Sequence, residues 1–128
     1  GRRGNNKIYG GHGNDQIFDG DGSSFIDTGP GRNVVSLNHG DDEVIVGTGI
    51  NRIDPGSGAV TFRVKYGGIT IIRQWTADQV YDLSGWPDAP DIQSFDGGRV
   101  RLRLGLSIVE LHRVQDTDLV ANQIRFPE

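Results

Sequence analysis

Five carboxylates, Asp15, Asp19, Asp21, Asp41 and Asp42, fall within short glycine-rich phrases in the first half of this chain. Like charges crowded together repel unless a cation sits among them, so cation binding is the first chemistry they suggest; the plain alternative is a solvated acidic edge. A second charged group is the stripe Arg99, Arg101 and Arg103, which alternates with Val100, Leu102 and Leu104 and so lines one face of a predicted strand. Such a stripe suits carboxylate or sulfate groups. A solvated outer face on an amphipathic strand explains the same pattern and is the preferred reading. No serine stands in a nucleophile-elbow context, and His112 lies in a predicted strand with no partner that the sequence supplies.

The elements that must position these groups are set by a nine-residue beat. Contiguous units run from Gly1 to Arg63: GRRGNNKIY, GGHGNDQIF, DGDGSSFID, TGPGRNVVS, LNHGDDEVI, VGTGINRID and PGSGAVTFR. Position four is glycine in every unit, and position eight is Ile8, Ile17, Ile26, Val35, Val44, Ile53 and Phe62. A fixed short period marks a solenoid, in which one repeat cannot bury its apolar face alone and must stack on its neighbours. Each unit reads as a turn that needs positive φ, followed by a short strand with one inward side chain. Two units make one coil, and the position-eight residues form an aliphatic column between two parallel sheets. The outline is all-β, a right-handed parallel β-roll.

Residues 10–18, Gly-Gly-His-Gly-Asn-Asp-Gln-Ile-Phe, match the phrase GGxGxDxUx at every defined position, and the other units match in part. The array resembles the repeats-in-toxin (RTX) family, whose turns bind Ca²⁺. The resemblance implies a calcium ion held between stacked turns by backbone carbonyls, here those of Gly11 and Gly13, and by position-six carboxylates. Calcium takes six to eight hard oxygen ligands, and a glycine turn can aim several carbonyls inward.

Position six departs from the family: it reads Asn6, Asp15, Ser24, Asn33, Asp42, Asn51 and Val60. Successive units turn on opposite edges of the roll, so a unit meets the unit two further on. On the even edge (turns 10–15, 28–33 and 46–51) Asp15 faces Asn33, a calcium candidate with one carboxylate and one amide oxygen. Asn33 faces Asn51, an uncharged pair expected to form an amide ladder. On the odd edge (turns 1–6, 19–24, 37–42 and 55–60) Asp42 faces Ser24, with Asp19, Asp21 and Asp41 close by, a second candidate site. His12 and His39 fall on opposite edges and cannot share a zinc ion.

After Arg63 the glycine beat is lost, and the expected division is a roll over 1–63 and a capping, secretion-associated β-hairpin region over 64–128, together forming one continuous unit. Ala59 to Tyr66 and Ile69 to Trp75 flank Gly67-Gly68 as an expected hairpin, and strands on either side of Gly105 as another. Asp82 to Trp86 and Val114 to Leu119 resemble phrases at the C-terminal end of RTX proteins. Phe62, Trp75, Leu83 and Trp86 are expected to cover the end of the roll.

Composition supplies the exclusions. The chain has no cysteine, so no disulfide scaffold supports it. A net charge of −4 argues against nucleic acid, and no apolar stretch is long enough for a membrane-spanning helix. The array starts without an N-terminal cover, so the expectation is a part of a longer protein. The functional expectation is a non-enzymatic, calcium-binding module that folds on Ca²⁺ outside the cell and supports type I secretion of a larger, extracellular exoprotein. The rival is an acidic-polysaccharide-binding or adhesive module using Arg99, Arg101 and Arg103, since RTX modules of alginate epimerases resemble this organisation.

Overall fold

The computed structural model describes residues 4–115 and 117–127, with only the backbone of residues 117–119. Strands that follow the nine-residue beat begin with β1 (Lys7–Tyr9), β2 (Gln16–Phe18), β3 (Phe25–Asp27), β4 (Gly31–Ser36) and β5 (Asp42–Val46). β6 (Gly49–Asp54), β7 (Val60–Val64), β8 (Gly68–Ile72) and β9 (Val80–Asp82) continue the winding. β10 (Asp91–Phe95), β11 (Arg99–Leu104) and β12 (Ser107–Leu111) form a meander, and α1 (Thr117–Gln123) leads into β13 (Ile124–Arg125). One sheet runs β1-β3-β5-β7-β9-β13 and the other β2-β4-β6-β8-β12-β11-β10.

Parallel pairing aligns position eight of each unit with position eight two units on: Ile8 with Ile26, Ile26 with Val44 and Val44 with Phe62 in the first sheet, Ile17 with Val35 and Val35 with Ile53 in the second. These two columns face each other and form the core, with Ile26, Val35, Val44, Ile53 and Phe62 fully buried. The all-β parallel roll with an antiparallel end read from the sequence is the observed architecture.

The expected hairpin at Gly67-Gly68 does not form. β7 and β8 lie in different sheets, and β8 pairs in parallel with β6, Ile53 against Ile72. The winding therefore passes Arg63, with the coil lengthened by one residue: Phe62 pairs with Tyr81 and Gly49 with Gly68. Gly68 serves close packing, since a Cβ on it would lie 2.8 Å from the Gly49 carbonyl oxygen. The hairpin at Gly105 does form, with Leu104 opposite Ser107 and Gly105 at φ 60°.

The chain closes by returning to both sheets. β12 adds in parallel to β8, aligning Leu111 with Ile72, and β13 adds in parallel to β9, aligning Ile124 with Tyr81. Phe62, Trp75, Leu83 and Trp86 are all buried, and Phe62 stacks on Tyr81 with centroids 5.8 Å apart. Trp86 Nε1–H donates to the Val64 carbonyl (3.0 Å) and Trp75 Nε1–H to Gln123 Oε1 (2.7 Å). Of the expected closing phrase Val114 to Leu119, Asp116 lies outside the described residues. α1, which the sequence reading did not anticipate, occupies its end.

Candidate metal-binding turns

Stacked turns touch backbone to backbone. A Cβ on Gly31 would stand 2.1 Å from the Gly13 carbonyl oxygen, and one on Gly29 2.3 Å from that of Gly11. The carbonyls of Gly11 and Gly13 thus lie against the next turn of the same edge, and only glycine there lets the coils approach this closely.

Side chains at positions five and six clasp successive coils in opposite directions. Position six takes an N–H from the coil before it: Ser24 Oγ from Asn6 (3.2 Å), Asn33 Oδ1 from Asp15 (3.0 Å) and Asp42 Oδ1 from Ser24 (2.8 Å). Position five takes an N–H from the coil after it: Asn5 Oδ1 from Ser23 (2.8 Å), Asn14 Oδ1 from Arg32 (3.0 Å) and Asp41 Oδ1 from Ala59 (3.2 Å). Sequence reasoning missed the position-five role. Its signal was the amide or carboxylate at Asn5, Asn14 and Asp41, which gains meaning only once the coil register is known.

The two edges then differ in what position six does with its second atom. On the even edge Asn33 and Asn51 are buried, and Asn33 Nδ2 donates to Asn51 Oδ1 (3.0 Å), the amide ladder expected from the sequence. Asn33 Nδ2 also lies 3.1 Å from both Thr28 O and Gly29 O, and Asn51 Nδ2 donates to Gly47 O (3.0 Å). The Asn33 amide is thereby engaged at both ends, its Oδ1 by the Asp15 N–H and its Nδ2 by turn and Asn51 oxygens. Asp15 itself has a buried Oδ2 without a hydrogen-bond partner.

On the odd edge Asp19 and Asp42 are both buried, and each has an Oδ2 without a partner. Burial pushes the Asp42 carboxyl above its ordinary value; the Ser24 N–H opposes this, and the charges of Asp19 and Asp41 add to the rise. Asp21 and Asp41 are exposed at the rim. Among the described residues no three His, Cys, Asp or Glu side chains gather into a metal-holding group. A cation here would therefore rest on one or two carboxylates together with turn carbonyls. Such an all-oxygen donor set, with two buried carboxylate oxygens on this edge, and Asp15 Oδ2 on the other, that lack a proton donor, fits a hard cation.

The arginine stripe is redistributed. Arg101 lies over the Phe95 ring, 4.9 Å from its centroid, and pairs with Glu110 (3.2 Å), while Arg103 Nε–H donates to the Gly105 carbonyl (3.0 Å). Glu110 also contacts Arg99 (3.8 Å) and His112 (2.7 Å), so His112 does have a partner. Burial disfavours the Glu110 charge, but hydrogen bonds from His112 and Arg101 outweigh it and hold the carboxyl below its ordinary value. Arg99 also lines a cleft of about 390 Å³ with Arg73, His112, Arg113 and Asp54.

A two-sheet parallel roll whose glycine turns stack coil on coil, with unsatisfied carboxylate oxygens inside those turns, defines a glycine-turn, cation-binding β-roll. The family of RTX calcium-binding nonapeptide repeats (4 copies) matches residues 1–25 and 18–53. Calcium is the cation of that family, and such a roll is a structural, non-catalytic module. Among solved structures the fold is similar to the solution structure of the AlgE6R3 subunit from the Azotobacter vinelandii mannuronan C5-epimerase. The two share 21% sequence identity at a TM-score of 0.69, over 91% of this chain and 80% of that one. No curated protein sequence matches the chain.

Proposed function

We propose that this chain is a calcium-responsive folding module of a larger, type I-secreted extracellular protein, with Ca²⁺ taken up at two turn pairs. The observation that carries the reading is the trio of buried, unpartnered oxygens, Asp15 Oδ2, Asp19 Oδ2 and Asp42 Oδ2. Asp15, with the Gly11 and Gly13 carbonyls, would hold one ion, and Asp19 with Asp42 a second; Asp21 and Asp41 add negative potential at the rim. Bound calcium supplies the positive charge that these oxygens otherwise lack.

The residues themselves do the rest. Without a cation, Asp19, Asp41 and Asp42 repel, and glycine raises the entropy lost on ordering the turns, which favours a loose chain fit for export. A ligand that binds only the folded roll stabilises it by mass action, about 2.7 kcal/mol at a hundredfold excess over Kd. The roll over 1–63 and the region over 64–128 act as one unit, because β12 and β13 complete the sheets that the repeats begin. No helix among the described residues is long and apolar enough to cross a membrane. Circular dichroism of the intact chain should show β signal rising on addition of CaCl2, falling with EDTA, and responding less in Asp15→Ala. A chain fully folded in excess EDTA and indifferent to CaCl2 sinks the proposal.

A second reading is favoured by the cleft of Arg73, Arg99, His112 and Arg113, which gathers three guanidiniums against one carboxylate, Asp54. It fits the anionic groups of an acidic polysaccharide, and the structural neighbour belongs to an enzyme named for a polymannuronate substrate. Arg73→Ala with Arg113→Ala should weaken retention on an alginate column, whereas Arg101→Ala should not. Equal retention of all three proteins, or none by the native chain, refutes this reading.

A further inference from the structure

The molecule contains its own control experiment, because one backbone turn occurs with a carboxylate and with an amide at position six. We propose that the side-chain nitrogens of Asn33 and Asn51 take the place of a cation, so that the even edge from Thr28 to Asn51 closes without calcium. The Asp15 turn and the odd edge, by contrast, wait for it. The inference rests on the reading that aspartate-bearing turns bind calcium.

Asn33 Nδ2 lies 3.1 Å from the carbonyls of Thr28 and Gly29, positions one and two of its own turn. Asn51 Nδ2 makes the equivalent bond to Gly47, position two of its turn (3.0 Å). In the Asp15 turn the corresponding atom is an oxygen. Asp15 Oδ2 lies 3.0 Å from the point where a Cβ on Gly10, position one of that turn, would stand, and it has no donor. A buried carboxylate oxygen without a donor calls for a cation or a proton, whereas an NH₂ group donating to turn oxygens needs neither. Thr28 extends the clamp, its hydroxyl oxygen receiving the Gly47 N–H (2.9 Å) while the hydroxyl donates to Gly29 O (3.2 Å). The register places Asn33 against Asn51 and Asn51 against buried Thr70, so no carboxylate enters this column after Asp15.

Asn33 and Asn51 therefore decide which turns take calcium. Half of one edge is a preformed seed on which calcium completes the remaining turns. Hydrogen–deuterium exchange of the intact chain in EDTA and in CaCl2, with calcium stoichiometry by titration calorimetry, tests this. In EDTA, amides of 28–36 and 46–54 should exchange at least about tenfold more slowly than those of 19–24 and 37–42, the factor that one to two net hydrogen bonds supply. CaCl2 should then slow the second group. Asn51→Asp should lose the EDTA protection, regain it in CaCl2 and bind one further ion. Asp15→Asn, which adds an amide and keeps the fold, should bind one ion fewer and gain protection at 10–15 in EDTA. Exchange of both edges together in EDTA, or unchanged stoichiometry in both variants, overturns the inference while leaving calcium uptake by the native chain intact. Absence of any calcium uptake by the native chain overturns the underlying reading instead.

Discussion

Asp42→Asn should make the roll more stable without calcium and less responsive to it. Asp42 is 4% exposed, and its Oδ2 has no partner. A buried polar atom left unsatisfied costs about 1–3 kcal/mol, and the neighbouring Asp19 and Asp41 charges add to that cost. An asparagine keeps the acceptor for the Ser24 N–H, now 2.8 Å from Oδ1, and exchanges the orphan oxygen for a donor, the arrangement already present at Asn33. The expected gain in EDTA is about 1–3 kcal/mol, or roughly 3–10 °C in Tm for a domain of this size. The effect has a pH signature. The folded-state Asp42 value lies above its ordinary 3.8. Its favourable contribution is therefore present below the ordinary value and is lost as pH rises through the folded one. The advantage of Asp42→Asn in EDTA should shrink on acidification toward that value. In saturating CaCl2 the order should narrow or reverse, because the variant would lack the Asp42 carboxylate that the proposed site uses. Urea and thermal melts in EDTA and CaCl2 at several pH values read all of this, and a variant that is less stable than the native chain in EDTA at neutral pH refutes the reasoning.

Three further outcomes follow from the packing. Gly58→Ala would place a Cβ 1.6 Å from the Gly40 carbonyl oxygen and should cost about 3 kcal/mol or more in urea melts, whereas Gly85→Ala, with nothing within 4 Å, should stay within about 0.5 kcal/mol. Glu110, held below its ordinary 4.5, contributes stability above that value and loses it as pH falls; Glu110→Gln should cost about 1 kcal/mol or less at neutral pH and remove this component of acid sensitivity. Trp75→Phe deletes the donor to Gln123, whose amide also donates to Thr76 O and Gln79 O. It should cost about 1–2 kcal/mol and speed exchange in 120–125, measured by hydrogen–deuterium exchange.

The roll was legible because stacking imposes a strict period: position four must be glycine where coils touch, and position eight must be apolar where sheets face each other. Parity placed Asp15 against Asn33 and Ser24 against Asp42, and the bonds from the Asp15 and Ser24 backbone N–H groups to the Asn33 and Asp42 side chains follow that assignment. What escaped the sequence was whatever broke the period or depended on distant closure. One extra residue between β7 and β8 shifts the glycine phase while the apolar column continues through Ile72 and Tyr81, so a winding strand resembled a hairpin arm. β10 is exposed along its whole length and carries no alternation to announce it. The returns of β12 and β13 join strands far apart in the chain, which no local pattern encodes. At the turns, residue types marked the acidic edge, but only the geometry shows Asn33 spending its amide on carbonyls and Arg101 spending its charge on Glu110.

The reciprocal clasp of positions five and six has a mechanical meaning. An inner coil is gripped from both sides, by its predecessor's position-five side chain and its successor's position-six side chain, whereas a coil at the end of the stack is gripped from one side only. A pulling force should therefore peel the roll from an end, coil by coil. Each coil of two nine-residue units unwinds to about 60 Å of extended chain while thinning the stack by only about 4.8 Å. The roll is in effect a compact spool, and under the proposed calcium uptake a carboxylate-bearing turn would make its coil slip or hold according to whether a cation is present.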